Sequence, residues 1–246
     1  MVKTCFRPLG SSPIATFTIV AYELSTGRIQ RILGPQDKAN PAVFSLDPEL
    51  NRALVGVGGD FCTTIAWLTD NGPKPIPISL GKGRSVWSLD QPLRVEENDD
   101  CSNFGKADLP SWSPDGRQIA FFASPESVGR KGEDRLLPPW ELYLMDPVNL
   151  KPRVATGQVV APSYPAWSPD SRFIAFSGLI KSQRGVWILS PTTGRLRLII
   201  DTEAQDIAWS PDGQELAILH DKSAPSQYPP DVEILLYHLS LSRLPH

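Results

Sequence analysis

The sequence predicts an all-β fold, and three observations predict it. The stretch Ser111-Trp112-Ser113-Pro114-Asp115-Gly116-Arg117-Gln118-Ile119-Ala120-Phe121 recurs as Ala166-Trp167-Ser168-Pro169-Asp170-Ser171-Arg172-Phe173-Ile174-Ala175-Phe176. It recurs again as Ala208-Trp209-Ser210-Pro211-Asp212-Gly213-Gln214-Glu215-Leu216-Ala217-Ile218. The chain holds 25 prolines in 246 residues, about twice the usual share, and nearly all stand between short apolar runs. Trp167 and Trp209 are 42 residues apart, and Trp112 and Trp167 are 55 apart. Periods of about 40–45 residues with four strands each mark the blades of a β-propeller. The expectation is a β-propeller of four-stranded blades, about five in number, either incomplete or closed by the N-terminal segment.

Each element has a local reason. Pro fixes φ near −65° and suits the first corner of a β-turn. Asp suits the second corner, where its short side chain bonds nearby backbone. Gly takes the following left-handed position without steric cost. Ser113 to Gly116 therefore reads as a type I turn with a left-handed residue after it. Ser171 replaces that glycine in the second copy, at an expected cost of roughly 1 kcal/mol. The tryptophans read as buried anchors and Ile119-Ala120-Phe121 as a returning strand. An Asp-based ligand site at Asp115, Asp170 or Asp212 is the weaker reading, because repetition at turn positions serves folding.

The remaining strands follow in order. Residues 15–24 are rich in β-branched and aromatic types and run into Ser25-Thr26-Gly27, a strand and a turn. Strands of the same kind precede Asn71-Gly72, Asp146-Pro147 and Pro191-Thr192-Thr193-Gly194. Closing strands are expected at 28–33, 75–80, 152–156 and 195–200. Phe44-Ser45-Leu46-Asp47-Pro48 reads as a worn first copy with Phe44 as its anchor. Trp87-Ser88-Leu89-Asp90 reads as the entry to a long connection. Val232, Leu235, Leu236 and Leu239 fit a helical period, but their place in the repeat favours a strand. The expected blades fall at about 1–34 (partial), 40–80, 81–157 with insertions, 161–200 and 204–246, all within one domain.

Trp-Ser-Pro-Asp-Gly, then Ile-Ala-Phe, then Leu142-Tyr143-Leu144-Met145-Asp146 resembles the repeat of TolB-type β-propellers, and also that of the prolyl oligopeptidase propeller. The resemblance covers residues 107–219 best. It implies a propeller fold; propellers of this family commonly have six blades or more, whereas four clear ones and an N-terminal half are counted here.

Composition excludes several classes. Net charge is −3 and the pI about 5.7, so there is no basic footprint for nucleic acid. No apolar run of about 20 residues suggests membrane insertion. Residues 14–24 follow Lys3 and Arg7 but carry Thr16, Thr18 and Tyr22 and lack a small-x-small cleavage site. As written, the chain reads as cytoplasmic; a removed N-terminal signal would make it periplasmic or secreted. Cys5, Cys62 and Cys101 follow no metal-binding spacing. Free or buried thiols and a Cys62–Cys101 disulfide are both open readings. No Gly-x-Ser-x-Gly elbow and no phosphate-binding Gly-x-x-x-x-Gly-Lys loop occurs, so no catalytic residue, metal site or cofactor is assigned.

Long connections concentrate function. Those at 90–108, 124–139 and 220–230 all fall on the face opposite the Ser-Pro-Asp turns. Their arginines and aromatics suit contact with a protein or peptide. Arg94, Asp100, Phe104, Arg130, Arg135, Trp140 and Tyr228 are the candidate contact residues. The expected function is a non-catalytic scaffold binding a protein or peptide partner. A hydrolase or lyase with its site in the central funnel is the first alternative. One piece of a larger propeller enzyme or assembly is the second.

Overall fold

The computed structural model describes residues 17–22, 25–36, 44–58, 63–81, 85–86, 105–124, 140–222 and 231–239. The structural statements and counts that follow are of these residues. They form strands and turns and no helix, hence no helix long and apolar enough to cross a membrane. β1 (Phe17–Tyr22) and β2 (Ile29–Gln36) pair only with each other. The first full blade is β3 (Phe44–Leu46), β4 (Ala53–Gly58), β5 (Thr63–Thr69) and β6 (Gly72–Pro75). The second is β7 (Lys106–Trp112), β8 (Ile119–Ser124), β9 (Trp140–Met145) and β10 (Pro152–Val159). The third is β11 (Ala166–Trp167), β12 (Ile174–Ile180), β13 (Gln183–Leu189) and β14 (Leu196–Ile200). The last sheet has three strands, β15 (Asp206–Trp209), β16 (Glu215–Asp221) and β17 (Val232–His238). Within each sheet every strand pairs antiparallel with its sequence neighbour; one isolated bridge, Val86 with Gly105, is parallel. This is a β-propeller arrangement.

The blades face one another, so their central strands are apolar on both sides. Ile119 and Phe121 of β8 pack toward the first full blade with Leu54, Ile65 and Trp112. Ala120 and Phe122 of the same strand pack toward the third with Ile174 and Phe176. Ala175, Val186 and Ile188 then meet Leu216 and Ile218 of the last sheet. All six residues of β8 are buried, which explains a run with no polar alternation. The succession stops at the last sheet. Ile234 and Leu236 of β17 are 70% and 73% exposed, whereas Val186 and Ile188, their counterparts in the third blade, are 0% exposed. β17 is a strand, as the repeat implies and the helical period does not.

The turns match the sequence reading and add something to it. Gly116, Ser171 and Gly213 have φ of 72°, 60° and 71°, and each N–H closes the turn onto the serine carbonyl three residues back. The aspartate carboxylates are used inside the turns: Ser113, Ser168 and Ser210 hydroxyls donate to Asp115, Asp170 and Asp212 at 2.6 Å. Ser171 has a compensation for its strained φ. Its hydroxyl accepts the Asp115 N–H of the preceding blade at 3.0 Å, a bond glycine could not make.

Two expectations are corrected. The anchor of the worn copy is Leu46, not Phe44. Leu46 pairs with Ala53 as Trp112 pairs with Ile119, and Leu50 takes the left-handed position at φ 59°. Asp47 replaces the turn serine; its carboxylate accepts the Arg52 N–H at 3.0 Å, as the Ser113 hydroxyl accepts that of Gln118. The fourth strand of this blade is Gly72–Pro75 rather than 75–80. Gly72, at φ 100°, tightens the turn so that pairing begins at once. Pro73 and Pro75 are tolerated because β6 is an edge strand.

The tryptophans also join blades. Trp167 Nε1 donates to the Ser111 carbonyl at 3.1 Å, and Trp209 Nε1 to the Ala166 carbonyl at 2.9 Å. Each indole thus bonds the residue preceding the anchor of the blade before it. The first such step differs. Trp112 Nε1 is buried without a partner, and the Trp112 backbone N–H donates to Ser45 Oγ at 2.9 Å.

Candidate functional site

The first strands of successive blades touch one another, β3 with β7, β7 with β11 and β11 with β15, so they lie nearest the common axis. Three ionisable side chains stand at the starts of these strands. Asp108 precedes Trp112 by four residues, Tyr164 precedes Trp167 by three, and Asp206 precedes Trp209 by three. A bulge between Asp108 and Ser111, with Leu109 at φ 56°, absorbs the one-residue difference. The start of a first strand lies at the end of the blade away from the Ser-Pro-Asp turns. The three residues therefore lie toward that end of neighbouring blades, near enough for the Asp108 and Asp206 charges to act on Tyr164, and we refer to the space they border as the axial mouth.

Local bonds hold them. Asp108 Oδ1 accepts the Leu109 N–H at 2.8 Å, and Asp206 Oδ1 accepts the Ile207 N–H at 2.9 Å. Asp108 also lies against β4 at Gly56, where a Cβ would collide with its carboxylate. Tyr164 follows Ser163, whose hydroxyl accepts the Ser177 N–H at 2.8 Å; the Ser177 hydroxyl in turn accepts the Ala204 N–H at 2.9 Å. That chain ties the entry of the third blade to the entry of the last.

The site is electrostatically tense. Burial pushes the Asp108 carboxyl above its ordinary range, opposed by the Leu109 N–H. Burial, then the charges of Asp108 and Asp206, push the Tyr164 hydroxyl well above its ordinary value. Tyr164 thus stays protonated and can donate a hydrogen bond. Two carboxylates beside a tyrosine ring make a mouth that attracts a cationic group. Among the described residues, no group of three or more His, Cys, Asp or Glu could hold a metal ion.

The residues proposed from sequence fall differently. Arg94, Asp100, Phe104, Arg130, Arg135 and Tyr228 lie outside the described residues, as do Cys5, Cys62, Cys101 and Trp87-Ser88-Leu89-Asp90. Trp140 opens β9, is half-buried, pairs with Val159 and packs against the core between the second and third blades. Sequence reasoning missed Asp108, Tyr164 and Asp206. Their similar offsets of three or four residues before the repeated tryptophan were the available signal.

The fold and this mouth define the class as a β-propeller with a polar axial opening. No family model matches the chain. Among solved structures, it is similar to TolB from Acinetobacter baumannii, with 16% identity over 91% of this chain and 49% of that one (TM-score 0.52). It is also similar to a putative TolB from Agrobacterium tumefaciens, with 15% identity over 90% and 65% of the two chains (TM-score 0.53). A gluconolactonase from Xanthomonas campestris is similar to the same degree, with 14% identity over 91% and 71% (TM-score 0.51). Likeness at these identities shows the propeller fold alone. The chain spans about half the length of the first TolB structure and just under two thirds of the second.

Proposed function

We propose that this chain is a non-catalytic propeller that binds a protein or peptide partner on the face of its long connections. The axial mouth is the centre of the contact and receives a lysine or arginine side chain of the partner. The observation that carries this reading is the convergence of Asp108, Tyr164 and Asp206 at matching strand starts in three consecutive sheets. Connection lengths support the choice of face. The chain runs from Ser124 to Trp140 and from Asp221 to Val232 at that end, whereas the links across the opposite end are short turns.

A photo-crosslinking residue at position 164, 94 or 135 is expected to capture the partner. The same residue at position 149, on the opposite face, is expected to capture nothing. Capture at 149 alone would overturn the assignment. Asp108→Asn combined with Asp206→Asn should weaken the captured partner's binding at least about tenfold, as expected for loss of charge-assisted contacts.

A second reading, that the chain is one piece of a larger propeller or assembly, is favoured by the exposed Ile234 and Leu236. Light scattering of the isolated chain tests it. A monomer whose solubility does not respond to Leu236→Asp would count against it.

A further inference from the structure

On the turn face, the second blade carries a cleft of about 320 Å³ lined by Arg117, Gln118, Asp146, Asn149, Lys151 and Arg153 above Leu144 and Met145. We propose that this cleft binds a small oxyanion, a phosphate ester or a carboxylate. The site is distinct from the axial mouth and lies at the other end of the blade.

Charge is the first argument. The chain is acidic overall, at −3, yet three cations line one cleft with a single carboxylate, Asp146. That carboxylate is engaged: Asp146 Oδ1 accepts the Val148 N–H at 2.7 Å and the Asn149 N–H at 3.2 Å, closing its own turn. Arg117 is held only loosely, 4.0 Å from Asp115, a separation worth little at an exposed site. The matching pair in the third blade, Arg172 with Asp170, is tighter at 3.4 Å. Arg153 is positioned, because its Nη2 donates to the Pro191 carbonyl at 2.9 Å; a guanidinium pinned by one nitrogen keeps other donors for a planar oxyanion. The second argument is placement. Arg117 comes from the turn between the first two strands of the blade, and Lys151 and Arg153 come from the entry to its fourth strand, so the cations converge from two turns on one cleft. Converging cations over a small cleft define the class as an oxyanion.

Titration calorimetry of the purified chain at constant ionic strength tests this, using glycerol 3-phosphate, glycerate, inorganic phosphate and glycerol. Saturable binding of glycerol 3-phosphate or glycerate, with no binding of glycerol, is expected; which of the two binds identifies the charged group. Arg117→Gln and Lys151→Gln should each weaken it about tenfold or more, as for a charged hydrogen bond. Arg172→Gln, outside the cleft, should have no effect. Binding that does not saturate, or that falls equally with Arg172→Gln, would overturn the proposal. Circular dichroism confirms that the variants are folded, so a lost signal reports the cleft.

Discussion

Replacing Trp167 with phenylalanine, beside the same change at Trp112, isolates the bond between blades. Trp167 is 8% exposed and sits in the core between the second and third blades. Trp112 is 5% exposed, in the core between the first and second full blades. Both changes remove similar ring volume. Trp167→Phe also deletes the hydrogen bond to the Ser111 carbonyl, a loss of about 1 kcal/mol that grows toward about 3 if the carbonyl is left unpaired. Trp112→Phe deletes an indole N–H that has no partner, and so relieves a desolvation cost of about 1–3 kcal/mol. It weakens the contact with the Arg52 guanidinium, 4.9 Å from the ring centre, worth about 0.5–1 kcal/mol. Trp167→Phe should therefore cost about 1–5 kcal/mol more than Trp112→Phe. Trp167→Ala should cost roughly 3–5 kcal/mol. Urea unfolding followed by circular dichroism measures all three. Phenylalanine variants within about 0.5 kcal/mol of each other would refute the bond's role. An alanine cost below about 1 kcal/mol would remove the anchor reading altogether.

Other outcomes follow from the same geometry. Ser171→Ala keeps the strained φ but loses the acceptor for the Asp115 N–H, so it should destabilise by about 1 kcal/mol; Ser171→Gly relieves the strain and should be nearer neutral in the same urea assay. Gly185→Ala would drive a methyl into the Ile200 carbonyl and the Leu198 side chain, and should lower stability by about 1–3 kcal/mol; an unchanged melting temperature would contradict the packing. Asp108→Asn tests the raised carboxyl. Because the folded-state pKa lies above the unfolded one, ionisation is penalised in the fold: the penalty is absent below the unfolded pKa of about 3.9 and appears as pH rises through the folded value. The variant should be more stable than the parent at neutral pH and no more stable near pH 3, read from melting temperatures across that range.

The three copies of Trp-Ser-Pro-Asp were enough to reveal the fold. Proline and aspartate restrict the turn locally, and a central strand such as Ile119-Ala120-Phe121-Phe122 is apolar throughout because it is covered on both faces. The worn copy was misplaced by two residues because Phe44 matches the aromatic anchor by type. Leu46 matches it by register, which depends on the partner strand. The candidate site was less legible. Asp108, Tyr164 and Asp206 look unremarkable one at a time, scattered over nearly a hundred residues of chain.

What the sequence alone determined was the repeat, its turns and the class of fold, since each rests on interactions between residues close in the chain. Tertiary structure decided the rest. It gave Trp167 and Trp209 their carbonyl partners in neighbouring blades and gave Ser171 the hydrogen bond that offsets its backbone strain. It brought three strand starts to one axial mouth and gathered Arg117, Lys151 and Arg153 around one cleft. Each of these depends on which residues from separate turns of the repeat come within bonding distance, and that is set only when the blades pack.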